Sequence, residues 1–331
     1  MNKKVVVNWR HSPIDKNDLR DLTKRSDSKA LTHLLTHLLI ALVLAVISYI
    51  SFERLPIILS IPIYFVFTNV FIFLGLASGI HEMTHGTVFK TKSLNKFFMR
   101  LVSFITWSDY VFYRESHMKH HQYTAHHGLE QEVVLPLTLH IKDFLYSLIG
   151  NPYYTYKTYF NMFRRALGII KGEWEEEIFP LENPKKRKEL INWNRVVIGG
   201  HLLIVLAIIL SSKWLLLLYI TFPMAFSSIA SYAVTMSQHS GLQGDIADSR
   251  KCCRSVKINP IYEFLYWNMN YHIEHHMYAS VPFYNLKKFS KTIEADLPER
   301  KTLLQSYKEI ILIQKRQKID PSYYYEAKCP K

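Results

Sequence analysis

The sequence predicts an all-α polytopic membrane protein, with four transmembrane helices in two hairpins and a cytoplasmic helical cap. Three observations carry this reading. Apolar residues are gathered into long blocks, cations are nearly excluded from the short turns between paired blocks, and histidines recur at helical spacing just outside the blocks.

The chain opens on a charged arm, residues 1–33, whose polarity does not resemble a cleavable signal peptide. Leu34–Phe52, "LLTHLLIALVLAVISYISF", and Leu55–Gly79, "LPIILSIPIYFVFTNVFIFLGLASG", form the first predicted hairpin. A hydrocarbon core needs roughly 20 apolar residues per helix, and the second of these blocks carries no charge at all. Val196–Ser211 and Trp214–Met236 form the second hairpin, with Pro223 tolerated because membrane helices accept proline. Of the 41 Lys and Arg residues, only Arg54 and Lys213 lie in the turns within the hairpins. The others fall in the arm, in residues 80–195 and after residue 236, and the positive-inside rule places all three segments, hence both termini, in the cytoplasm.

The net charge of +14 is therefore mainly a topology signal. A nucleic-acid partner is not expected, because the cations are scattered along membrane-flanking segments and form no binding motif. The cluster "KKRK", Lys185–Lys188, suits either anionic headgroups or a solvated loop. Cys252, Cys253 and Cys329 all fall in cytoplasmic segments, so no disulfide framework is implied.

The histidines supply the chemistry. His81 and His85 stand in "HEMTHG" after the second block, His117, His120 and His121 in "HMKHH", and His272, His275 and His276 in "HIEHH". Positions i, i+3 and i+4 share a helix face, so each motif can aim its imidazoles at one point. The first two motifs share one loop, and two predicted spans separate them from the third, so all three face the cytoplasm. His239 follows the fourth block as His81 follows the second, making nine candidate ligands. Nine imidazoles exceed the four or so that zinc takes. They suit two iron ions, a combination able to activate O2 against an unactivated C–H bond of a lipid-like substrate.

At these residues the sequence resembles the membrane fatty acid desaturase family. "HEMTHG", "RESHMKHHQYT" and "NYHIEHHMYASVP" look like its three histidine boxes, and the likeness of organisation spans residues 34–290, leaving 291–331 as a cytoplasmic C-terminal helix and tail. The resemblance implies that His81, His85, His117, His120, His121, His239, His272, His275 and His276 hold a non-haem di-iron centre. It further implies an integral membrane enzyme of a bacterial inner membrane or endoplasmic reticulum that desaturates a fatty acyl chain with O2. No "HPGG" haem signature is present, so electrons are expected from a separate ferredoxin or cytochrome b-type protein docking on the basic face. The first box has three residues between its histidines, as in the hydroxylase, sphingolipid and methyl-end branches, so hydroxylation stands as an alternative. "HEMTH" also fits the zinc-protease pattern with Glu82 as base, but that reading leaves both HxxHH motifs without a role.

Beside the boxes, Glu82, Glu115, Glu130, Glu132 and Glu274 are candidates to orient imidazoles through their outer N–H. Asn268 and Asn270 suit either a metal-bound water or a structural cap. His126 and His127 read as loop residues or as supports of the site, His33, His37 and His201 as packing or functional groups within the blocks, and His11 and His140 as solvated. The aromatic stretches 97–107 and 154–170 read as headgroup-layer helices, roofing a substrate tunnel or anchoring the cap.

Overall fold

A computed structural model of the chain describes residues 5–226 and 228–330; the first four residues of the charged arm lie outside them. After the short α1 (Lys16–Leu22), α2 (Asp27–Arg54) and α3 (Ile57–Phe71) form the first apolar hairpin. The Ser26 side chain caps α2 by accepting from Lys29 N–H, so the helix starts seven residues ahead of the apolar block. It ends before Pro56, which disfavours helical backbone at Leu55. The two helices are tied near both ends: Ser60 Oγ donates to Ser51 O at 2.9 Å, and His37 Nε2 donates to Val70 O at 3.0 Å.

Past α3 the chain tightens into a 3-10 turn, Ile72–Leu74, and resumes as α4 (Gly79–Thr84), which carries the first histidine motif. Gly79 allows this fold-back, since a Cβ there would stand 2.5 Å from Leu74 O. Then come α5 (Lys92–Ile105), α6 (Tyr110–Tyr123) bearing the second motif, α7 (Ile141–Leu148), α8 (Pro152–Ala166) and α9 (Glu173–Ile178). Next, α10 (Pro184–Leu210) is capped by Asn183 with Pro184 in its first turn, so "KKRK" opens a long helix and is not a loop.

Among the described residues three helices are long and apolar enough to cross a membrane: Asp27–Arg54, the run Ile57–Thr84, and Pro184–Leu210. The fourth expected span is not one helix. Trp214–Met236 is divided into a 3-10 turn at Trp214–Leu216, α11 (Leu217–Ile220), a second 3-10 turn at Pro223–Ala225, and α12 (Ile229–Thr235). Pro223 has no N–H to continue α11. Side chains of the first hairpin meet backbone groups of this broken stretch, as apolar surroundings demand. Tyr64 OH donates to Leu218 O at 2.8 Å, and Asn69 Oδ1 accepts from Ala230 N–H at 3.0 Å.

The C-terminal segment adds α13 (Ser249–Cys252), β1 (Val256–Lys257), α14 (Pro260–Leu265), α15 (His272–Met277) with the third motif, α16 (Phe283–Thr292), β2 (Lys301–Thr302) and α17 (Leu303–Gln317). β1 and β2 pair in parallel, Val256 opposite Lys301. The arm packs against this segment: Arg10 holds Asp296 through two 2.8 Å contacts. Outside, Leu39, Leu42 and Ile50 of α2, Leu203 and Leu206 of α10, Ile141 and Leu145 of α7, and Tyr156 and Phe160 of α8 are exposed. An apolar exterior with aromatic side chains at the cap boundary fits a bilayer and its headgroup layer.

Candidate metal centre

α4, α6 and α15 converge beneath the turn that follows α12. Six of the nine predicted histidines (His81, His117, His120, His239, His272 and His275) are buried, and His85, His121 and His276 are half-buried. All nine gather into two groups. His81, His85, His117, His121 and His275 each bring one ring nitrogen to within 4.8 Å of the others, as do His120, His239, His272 and His276. The groups adjoin, for the rings of His121 and His276 stack with centroids 4.3 Å apart.

The outer nitrogens fix the tautomers. His239 Nδ1 donates to Cys252 O at 2.8 Å, His117 Nδ1 to Glu132 Oε1 at 2.9 Å, and His120 Nδ1 to Glu130 Oε1 at 3.3 Å. Carbonyls and carboxylates only accept, so in the neutral ring the proton sits on Nδ1 and Nε2 presents a lone pair. The Thr124 hydroxyl spends its proton on His120 O and so accepts from His276 Nδ1 at 3.1 Å. His276 Nε2 is then buried with no protein partner. His81 Nδ1 faces the Tyr113 hydroxyl at 2.9 Å, His275 Nδ1 lies 3.3 Å from Glu82 Oε1, and the Gln238 amide lies 3.0 Å from His272 Nδ1.

Inward, the Nε2 atoms crowd: His81 to His275 at 2.9 Å, His117 to His121 at 3.0 Å, His85 to His117 at 3.2 Å, and His239 to His272 at 2.9 Å. Where the outer bond keeps the proton on Nδ1, as at His117 and His239, the inward nitrogen is a lone pair, and a cation among the crowded nitrogens would be shared by several rings, so the donor set fits a metal. Burial, reinforced by neighbouring imidazoles, holds His117, His121, His272, His275 and His276 well below the ordinary value, and His239 at about 3. They are thus neutral at physiological pH, as imidazoles that bind a metal must be. His120 differs: burial pulls it down, but the charge of Glu132 and the hydrogen bond to Glu130 outweigh burial and raise it.

Of the carboxylates beside the motifs, Glu82, Glu130 and Glu132 face imidazoles. Glu115 instead pairs with Arg114 and Lys186, and Glu274 accepts from Ser255. Asn268 and Asn270 donate to the backbone carbonyls of Phe283 and Val256, so both are structural here. His37 receives Trp267 Nε1–H at 3.1 Å, His33 packs on Phe264, and His127 pairs with Asp245 at the surface. Tyr113, Thr124, Gln238 and the Cys252 carbonyl were not among the sequence candidates.

The comparison with curated proteins returned no match. The model for the fatty acid desaturase family matches residues 56–308, a stretch that contains all nine gathered histidines, and the chain belongs to that family, whose members are oxidoreductases.

Proposed function

We propose that the chain oxidises an aliphatic chain with O2, its reaction being desaturation of a fatty acyl group. In this reading the nine histidines hold two iron ions, one in the group of five and one in the group of four. The observation that carries it is the set of inward Nε2 lone pairs, fixed by outward Nδ1–H bonds to Cys252, Glu132, Glu130 and Thr124. Iron so held, with electrons from an external donor, would supply the oxidising power to take hydrogen from an unactivated carbon. The protein's own part is to keep the imidazoles other than His120 neutral and aimed, to hold the Nδ1–H groups of His117 and His120 by hydrogen bonds to Glu132 and Glu130, and to exclude water by burial. Desaturation removes hydrogen from two adjacent carbons, with O2, two electrons and two protons leaving as water. Hydroxylation needs the same ligands and is the second product to look for.

The electron donor is proposed to be a ferredoxin or cytochrome b-type protein on the cytoplasmic face, where both termini and the histidines lie in this reading. The substrate is proposed to enter from the bilayer. The test is metal content of detergent-purified protein expressed with ample iron, followed by product analysis. About two irons per chain and an oxidised acyl product support the proposal; one zinc with no iron overturns it and revives the "HEMTH" protease.

A further inference from the structure

A cavity of about 560 Å³ lies between the apolar helices and the α7–α8 pair, a size ordinary for a small-ligand site. Its wall includes Ala77, four residues before His81, and Met236, three before His239, so it reaches the feet of two segments that carry gathered histidines. Its lining holds one acid, Asp143, and no Lys, Arg or His. A carboxylate or phosphate placed inside would be a buried anion beside another acid with no cation to pair it.

Two neutral polar groups of this wall are unused. Trp107 Nε1 and Tyr159 OH both line the cavity, and both atoms are buried without a hydrogen-bond partner. Their rings adjoin, with centroids 4.7 Å apart. Trp107 is held at φ 48°, a left-handed backbone that a bulky side chain seldom adopts. Against its other side lies His201, centroid to centroid 4.3 Å. His201 Nε2 donates to Phe104 O at 2.9 Å, which leaves Nδ1 as a lone pair, and that atom too is buried without a partner. Trp107 and Tyr159 thus bring an N–H donor and a hydroxyl to the wall, while the His201 acceptor lies behind Trp107, outside the lining. A buried polar group without a partner calls for an explanation, and Trp107 and Tyr159 stand on one cavity wall.

We propose that this cavity binds a long-chain lipid through an uncharged alcohol or amide group, held by Trp107 and Tyr159, and that such a neutral lipid is the substrate. This rests on the acyl-oxidase reading and narrows it. A hydroxyl or amide can pair with the Trp107 N–H and the Tyr159 hydroxyl without bringing charge; a carboxylate or phosphate brings a charge that no lining cation pairs and that stands beside Asp143. With the polar group fixed at Trp107 and Tyr159, the position oxidised is counted from that group along the chain.

The test is equilibrium binding to the full-length protein in nanodiscs under argon, so that no turnover intervenes. Tritiated 1-hexadecanol is displaced by unlabelled 1-hexadecanol, hexadecanamide, palmitate, palmitoyl-coenzyme A or hexadecane. The alcohol or the amide is expected to compete about tenfold better than palmitate, palmitoyl-coenzyme A and hexadecane; which of the two is tighter tells the alcohol from the amide. Tyr159→Phe, which deletes one oxygen, is expected to bring both down toward hexadecane while hexadecane itself is unchanged, and the latter also certifies the fold. Equal or tighter binding of either anionic competitor overturns the proposal, as does an unaltered preference in Tyr159→Phe, which would mean that water alone occupies the cavity. Iron content and product formation are read separately. Their failure overturns the oxidase and leaves the binding result standing, whereas oxidation of an anionically carried chain overturns only the neutral-lipid proposal.

Discussion

His239 Nε2 stands 2.9 Å from His272 Nε2, while His239 Nδ1 gives its proton to the carbonyl of Cys252. One nitrogen is thereby committed as donor and the other left as a lone pair facing a second imidazole. The same division recurs at His117 and His120 through Glu132 and Glu130. The site is therefore built from the outside in: the outer bonds choose the tautomer, and the tautomer makes the ligand.

The two groups of histidines are expected to lose metal separately. His276→Ala removes one of four ligands from the second group and leaves the five of the first intact. Metal content should fall from about two ions per chain to about one, with turnover abolished and membrane insertion kept. His85→Ala should do the same to the first group. His140→Ala, at an exposed position before α7, should change neither metal nor turnover. Full activity with unchanged iron in His276→Ala would contradict the ligation.

Glu132→Gln tests the outer bonds. The amide can turn its NH2 toward His117 Nδ1, which would move the ring proton to Nε2 and spoil the ligand; turned the other way it still accepts, but without charge. Either way a loss of about 10- to 100-fold in metal affinity or activity is expected, the usual effect of disturbing such a partner. Glu115→Gln is the control, since Glu115 is bound to Arg114 and Lys186 and reaches no imidazole. Equal losses in the two variants would assign the effect to general destabilisation.

How much of this was legible in the sequence follows from what helical spacing can and cannot say. His239 was reached only by its place after the fourth block, but spacing brought together the histidines of each motif, because i, i+3 and i+4 share a face. It could not divide them. His117 and His121 turn toward one group and His120 toward the other, and His275 parts from His272 and His276, because neighbouring helices decide which side of a face is met. Glu274, adjacent to His275 in sequence, points elsewhere, since consecutive residues do not share a helix face. Tyr113 stacks on His117 four residues later, but its hydroxyl meets His81 of another helix, and Cys252 acts through its backbone; neither of these last contacts leaves a sequence signature. The fourth expected span is interrupted at Pro223, where apolar composition alone could not show that Tyr64 and Asn69 stood ready to serve the broken backbone.

Without metal, the buried imidazoles are expected to make stability depend on pH. His239 is held at about 3 by burial against an ordinary 6.5, so between those values the unfolded chain binds a proton that the folded chain refuses. Stability therefore rises with pH across this window and is lost as pH falls below about 6.5. At about pH 5 the loss from His239 alone is about 2 kcal/mol, and the other depressed histidines act in the same direction. His120, which is raised, opposes them: its contribution is present at low pH and lost as pH rises. Thermal melts of chelator-treated protein should show the midpoint falling steadily from pH 7 to pH 5; a flat profile would mean that these imidazoles are not buried as neutral groups.

The turn that presents His239 depends on one guanidinium. Arg254 is buried, its Nη1 donating to Ser237 O at 2.6 Å and Ser240 O at 3.0 Å, and its Nη2 meeting Glu309 Oε1 of α17 at 3.2 Å. Its backbone N–H also binds Gln238 O at 2.7 Å. The planar fork thus closes the turn on both sides of His239 and fastens it to the C-terminal helix. A lysine keeps the charge but cannot span both carbonyls and the carboxylate in one plane. Arg254→Lys should therefore loosen His239 while Glu309 keeps a counter-charge, at a cost of about 1–3 kcal/mol in stability. The loss of metal should fall on the group of four, so that about one ion per chain remains. Arg254→Ala leaves Glu309 to Lys301 alone and should cost more. If Arg254→Lys lowers the melting midpoint but keeps both ions, the turn is held by its backbone and the guanidinium serves only the packing of α17.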